Sequence, residues 1–222
     1  MKGFLDTSRF KVCSFLEDNY NIILDEYKKF KFNIIEDNTS DENWMMWKIY
    51  NEHSLQITKN FRQDLDWNKI SFAPYKRSHS CYGLILDEQS IWEGVLLSTK
   101  ASLNSNFLPE LKTTDICNQY FSKTSDLLKQ FEEIISVMIA RFPSNRKIPL
   151  HRGFEEIIRV HMGLVVPEGD IGFSVSDQKT KWENGKCLAF SDFSPHHAWN
   201  NTEQDRINII LDLDRRKVNG GK

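Results

Sequence analysis

Residues able to do chemistry crowd into the last third of this chain, where four of its six histidines stand between His151 and Asp212. His151 and His196 each fall at a loop or strand end, and neutral imidazole is the commonest protein ligand for iron-group metals. Two histidines plus a carboxylate form the facial triad that leaves three positions on Fe(II) open. Here the residue two after His151 is Gly153, which has no side chain to ligate. Taken alone, such a pair is also accounted for by imidazoles at the surface or satisfied within a core, the commoner arrangement.

Two arginines and a third histidine belong to runs with a period of two. In residues 157–166, Arg159, His161 and Gly163 share one face, and Ile158, Val160, Met162 and Leu164 share the other. The second face is a core face. The first sets a guanidinium beside an imidazole where a sheet interior favours Val or Leu. Because an unpaired buried charge is strongly unfavourable, the pattern calls for an anion there. In residues 206–213, Ile207, Ile209, Leu211 and Leu213 face one way, Arg206 and Asn208 the other. Inward cations on two strands suit a small dicarboxylate held by a bidentate guanidinium. The alternative places Arg206 at the strand mouth, paired with Asp205 or Glu203 in solvent.

Strands must carry these groups. Runs at 137–142, 157–166, 171–176, 186–191 and 206–213 are separated by turn residues at 143–147, Pro167-Glu168-Gly169-Asp170, Asn184-Gly185 and Asn200-Asn201. Short strands at this spacing predict a closed or sandwiched β architecture. Upstream, Phe15, Leu16, Tyr20, Ile23, Leu24 and Tyr27 mark one amphipathic helix over residues 8–30. Residues 36–43 read as a polar loop, 44–57 as a helix, and 81–86 and 91–97 as short strands. A further helix is expected at 125–135, capped by Thr124 or Ser125.

Composition narrows the class. At 222 residues, 40% apolar and 12% aromatic, the chain suits one globular domain with a sizeable core. A net charge of −2 with interspersed signs shows no footprint for nucleic acid or an anionic membrane. No apolar run approaches the roughly 20 residues that span a bilayer, so no integral membrane segment is expected. Asp6 and Arg9 interrupt any signal-like h-region, and Cys13, Cys81, Cys117 and Cys187 are scattered without a C-x-x-C pair. A reducing cytoplasm is the expected location.

From His151 to Asp212 the sequence resembles the aspartyl/asparaginyl β-hydroxylase family of Fe(II)/2-oxoglutarate-dependent dioxygenases. The matching pieces are Ile148-Pro149-Leu150-His151-Arg152-Gly153, Arg159-Val160-His161 through Pro167, Trp182-Glu183-Asn184-Gly185-Lys186, Phe190-Ser191-Asp192, His196-His197-Ala198-Trp199-Asn200-Asn201, and Arg206. The resemblance implies a mainly β fold with flanking helices (α+β) and a double-stranded β-helix core, jelly-roll and cupin-like. Residues 136–214 would form the catalytic core and 1–135 the helical support and lid. It implies His151 and His196 as iron ligands, with His197 a neighbour. It implies Arg206 and His161 as residues of the 2-oxoglutarate pocket, and Arg159 as a contact of either co-substrate or an acidic substrate group. Two departures stand out: Phe154 falls where many relatives have Pro, and Ala140 falls where a pocket serine is expected. Trp182 and Trp199 are expected to pack as wall or core.

The implied reaction hydroxylates a C–H bond of an amino acid or amino-acyl (Asp/Asn-like) side chain, using Fe(II), 2-oxoglutarate and O2 and releasing succinate. The substrate would be a small molecule or peptidyl group, with residues 67–121 as the lid that selects it. Rivals within the chemistry are hydroxylation of a lipid acyl chain, or halogenation through the position left vacant by His151-x-Gly153. A rival of another class is a non-catalytic cupin-like module that binds an anion at Arg159 and Arg206.

Overall fold

Strands with one face in a core and one beneath helices must be apolar on both, and that is how the C-terminal half folds. A computed structural model describes residues 3–30, 93–100, 111–113, 115–151 and 157–218. The expectations for 36–43, 44–57 and 81–86, and most of segment 67–121, lie outside those residues, as do Arg152, Gly153 and Phe154.

Eleven strands are described: β1 Phe4–Leu5, β2 Glu93–Thr99, β3 Lys112–Thr113, β4 Ile134–Phe142, β5 Arg146–His151, β6 Ile157–Val165, β7 Ile171–Val175, β8 Gln178–Thr180, β9 Cys187–Ser191, β10 His196–Asn200 and β11 Arg206–Asp214. They form a seven-stranded sheet, β1-β9-β6-β11-β4-β2-β3, and a four-stranded sheet, β5-β10-β7-β8, whose named pairs are all antiparallel. From β4 onward the chain passes back and forth between the two sheets, which is the winding of a double-stranded β-helix. Phe142 and Phe190 from the large sheet meet Ile171, Phe173, Val175 and Ala198 from the small one, closing an apolar interior between them.

The other face of the large sheet is covered by helices: α1 Lys11–Asp18, α2 Tyr20–Phe30, α3 Asp115–Tyr120 and α4 Ser122–Leu128. Val12, Leu16, Ile23, Phe30, Phe121 and Leu128 pack there on Ile139, Val160, Met162, Ile209 and Leu211. Truncating one of these fully buried side chains to Ala costs about 2–5 kcal/mol.

The single helix expected over 8–30 is broken at Asn19. Its side-chain amide donates to the Phe15 carbonyl (2.8 Å), capping α1 before α2 begins at Tyr20. The helix expected at 125–135 starts earlier and stops at Leu128, and Ile134 and Ile135 open β4 instead. Its cap comes from far away in sequence. Glu26 of α2 accepts from the backbone N–H of Lys123 and Thr124 (both 2.9 Å) and from the Thr124 hydroxyl (2.6 Å). The turn expected over 143–147 contracts to Ser144-Asn145, with Asn145 at φ 53°, and β5 begins at Arg146. Among the described residues no helix is long and apolar enough to cross a membrane.

Candidate active site

The inner faces of β6 and β11 bring His161 and Arg206 into the closed interior. His161 is buried, with its ring nearly parallel to those of Phe173 (5.5 Å between centroids, 21°) and Trp182 (6.2 Å, 11°) and edge-on to Phe190. Neither ring nitrogen has a hydrogen-bond partner among the described residues. Burial first, then the charges of Arg206 and Arg159, holds its pKa well below the ordinary imidazole value, so the ring is neutral near pH 7.

Arg206 is 3% exposed, which rules out the solvent-paired alternative at a strand mouth. Its guanidinium carbon sits 3.9 Å from the Trp182 ring centroid and 4.9 Å from that of Phe142. Nε and Nη1 have no hydrogen-bond partner among the described residues, and burial pulls the pKa down to about 9. A buried cation with open N–H groups, near an imidazole with both nitrogens open, is a costly arrangement for an empty core. Its chemistry fits a carboxylate, which a guanidinium takes bidentately.

Trp182 reaches this position because Gly163 lets its segment close on β6. A Cβ at 163 would lie 2.5 Å from the Glu183 carbonyl oxygen. Gly185 donates to the Gly163 carbonyl at 2.8 Å. In the orientation that satisfies its amide, Asn208 accepts from Trp182 Nε1 (3.1 Å) and donates to the Ile207 carbonyl (3.0 Å). Ala140 is paired with Asn208 in the β4–β11 register, so no hydroxyl enters the pocket there.

The two candidate metal ligands lie on neighbouring strands of the small sheet. His151 stands opposite His196, and Ile148 opposite Ala198. Between these pairs β5 advances three residues while β10 advances two, a bulge that resets the alternation of β5. His196 is buried, and its Nδ1 lies 2.7 Å from the Ser194 carbonyl oxygen. Nδ1 is therefore a donor, so in the neutral ring Nε2 carries the lone pair a metal needs. Nε2 stands 3.8 Å from Oδ1 of buried Asp192. Along β10, His196, Ala198 and Asn200 are buried while His197 and Trp199 are half-buried on the other side. Trp199 packs over Gly172, and its Nε1 donates to Asp170 (2.7 Å).

Arg159 already has its anions. Its Nη1 is 2.8 Å from Asp192 Oδ1, and its Nε is 2.7 Å from Asp212 Oδ1. Sequence reasoning missed both carboxylates as site residues, together with Asn208. Asp212 was in reach, because the alternation that turns Arg206 and Asn208 inward also turns Ile210 and Asp212. Asp192, beyond the end of β9, has no such signal.

Comparison with known proteins follows the same lines. The family model described as Aspartyl/Asparaginyl beta-hydroxylase matches residues 17–216. The chain is 34% identical over 83 residues to the ornithine lipid ester-linked acyl 2-hydroxylase of Rhizobium tropici, covering 36% of this chain and 30% of that protein. It is 32% identical over 168 residues to the aspartyl/asparaginyl beta-hydroxylase of Mus musculus, covering 75% of this chain and 20% of that protein. The chain thus spans under a third of the length of either relative. A cupin domain of Bordetella pertussis overlaps 37% of this chain and 83% of its own length, at 14% identity and a TM-score of 0.31. The buried histidines and arginine thus lie in a chain that belongs to the aspartyl/asparaginyl beta-hydroxylase family.

Proposed function

We propose that this hydroxylase-family protein is an Fe(II)- and 2-oxoglutarate-dependent oxygenase that hydroxylates a C–H bond of an amino acid or amino-acyl side chain. The observation that carries the reading is the pair of orphaned groups, Arg206 and His161, buried beside His196. Arg206 would hold the distal carboxylate of 2-oxoglutarate, with Trp182 and Phe142 fixing the plane of its guanidinium. His161, kept neutral, would donate or accept one hydrogen bond without adding charge. His151 and His196 would hold the metal, and the Ser194 carbonyl orients His196 so that Nε2 is the nitrogen offered. When bound, Fe(II) with 2-oxoglutarate and O2 supplies the oxidising power, with succinate and CO2 as by-products. Phe173 and Phe190, packed against both buried histidines, keep water from the centre.

A second substrate class has its own support. Met138, Ala140 and Ile210 form a separate apolar cluster on β4 and β11, on the same strand faces as Phe142 and Arg206, which suits an acyl chain. Cys13, Cys117 and Cys187 are all buried as thiols, which supports the proposed reducing cytoplasm.

Anaerobic addition of Fe(II) and 2-oxoglutarate is expected to raise a weak visible charge-transfer band, and aerobic turnover to release succinate. A screen of amino acids, peptides and acyl lipids, with products read for a mass gain of about 16 for hydroxyl or about 34 for chloride, then names the class. Neither band nor succinate would leave only an anion-binding barrel.

A further inference from the structure

Arg159 is the third of four residues in a row that crosses four strands of the large sheet. Ser136 pairs with Asp212 between β4 and β11, Asp212 with Arg159 between β11 and β6, and Arg159 with Phe190 between β6 and β9. Side chains close the row. The Ser136 hydroxyl donates to Asp212 Oδ2 (3.1 Å), Arg159 Nε donates to Asp212 Oδ1 (2.7 Å), and its Nη2 lies 3.4 Å from Asp212 Oδ2. Its far nitrogen, Nη1, lies 2.8 Å from Asp192 Oδ1 as an ion pair outside hydrogen-bond geometry, and that same oxygen is 3.8 Å from His196 Nε2.

We propose that Asp212 is a positioning residue for the metal centre. It keeps the Arg159 cation against Asp192 and so holds the Asp192 carboxylate beside His196 Nε2. Arg159 is then a strut of that centre. The inference rests on the reading of His196 as a metal ligand.

The physical reason lies in the fork of the guanidinium. Its donors are planar and rigid, so a carboxylate on the Nε/Nη2 edge fixes where Nη1 points. Asp212 occupies that edge and is itself held by Ser136. A guanidinium without Asp212 is free to turn its two-pronged edge to Asp192, because a bidentate pair is stronger than an end-on one. Both oxygens of Asp192 would then face the cation, and the carboxylate would rotate away from His196. Asp192 and Asp212 are 1% and 3% exposed, so solvent does little to screen these pulls.

The test measures Co(II) binding, and anaerobic Fe(II) binding, by calorimetry without 2-oxoglutarate. The proteins are wild type, Asp212→Asn, Ser136→Ala, Arg159→Gln and the Asp212→Asn/Arg159→Gln double variant, each checked for fold by circular dichroism. Loss of a partner bonded directly to a ligand typically weakens metal binding about 10–100-fold, so Asp212→Asn, acting through Arg159 and Asp192, is expected at the lower end, about tenfold, with a few-fold loss for Ser136→Ala. Asp212→Asn should add little once Arg159 is Gln, because it acts through that side chain. Arg159→Gln should change metal affinity more than it changes 2-oxoglutarate affinity of the metal-loaded protein. Affinities within twofold of wild type, full additivity, or an Arg159→Gln effect confined to 2-oxoglutarate would each overturn the proposal. If Asp212→Asn fails to fold, Ser136→Ala decides by the same twofold criterion. Wild-type protein that binds neither ion would bring down the metal-site reading itself, a result distinct from normal wild-type binding with unaffected variants.

Discussion

His151 stands directly opposite His196 across the β5–β10 pair, at the point where a bulge shifts the register by one residue. The two positions are 45 apart in sequence, and sheet pairing makes them neighbours. His197, the next residue along, lies on the other side of β10 beside Trp199 (5.9 Å between rings).

That difference in side separates two adjacent histidines by experiment. His196→Ala is expected to abolish metal binding and succinate release, while His197→Ala keeps most of both. Equal loss in the two variants would assign the ligand wrongly.

Arg206 sets function against stability. With Nε and Nη1 unpartnered among the described residues and the side chain buried, its charge is set against the ring faces of Trp182 and Phe142. Replacing even a buried ion pair with apolar side chains of similar size is often neutral or stabilising by about 1–4 kcal/mol, and a buried cation with open donors has less to lose. Arg206→Met is therefore expected to raise or preserve Tm without ligand while raising the 2-oxoglutarate requirement by at least about tenfold. A large fall in Tm would show that the guanidinium is satisfied within the fold. Arg152→Ala is expected to leave the requirement nearly unchanged.

Stability near neutral pH should depend on His161. Its pKa in the folded chain lies well below the ordinary value, so between those two pKa values the unfolded chain binds the proton and the folded one does not. The stability contributed by the neutral ring is fully present above about pH 6.5 and is lost as pH falls below it. Thermal melts of wild type from pH 7.5 to 5 should show Tm falling more steeply than for His161→Phe. Parallel curves would mean that the ring is solvated.

Gly163→Ala tests the close approach that delivers Trp182. The added methyl would meet backbone, the Glu183 carbonyl at 2.5 Å, which cannot rotate out of the way. A loss of about 1–3 kcal/mol is expected in chemical denaturation, along with weaker 2-oxoglutarate binding as Trp182 leaves the face of Arg206. An unchanged midpoint would contradict the packing.

Alternation along β6 and β11 was legible from residue types, because a strand buried on both faces keeps a strict period of two. Ile158, Val160, Met162 and Leu164 go to the helix-covered core, as do Ile207, Ile209, Leu211 and Leu213, leaving His161 and Arg206 to the interior. The strands that carry the histidine pair were not legible. β5 contains Pro149, and β10 opens with two histidines behind Pro195, so neither reads as a strand by propensity. Both owe their form to pairing in the small sheet. The start of α4 was misplaced for a similar reason, since its cap, Glu26, lies 97 residues upstream of Lys123. Arg159 called for an anion from its pattern alone, yet the identity of that anion depended on strand order. Asp212 is 53 residues from Arg159 and becomes its neighbour only when β11 inserts beside β6. Local pattern sets which way a side chain faces, because it depends on a residue's immediate neighbours along the chain. Which charges meet depends on long-range closure, which leaves no trace in spacing.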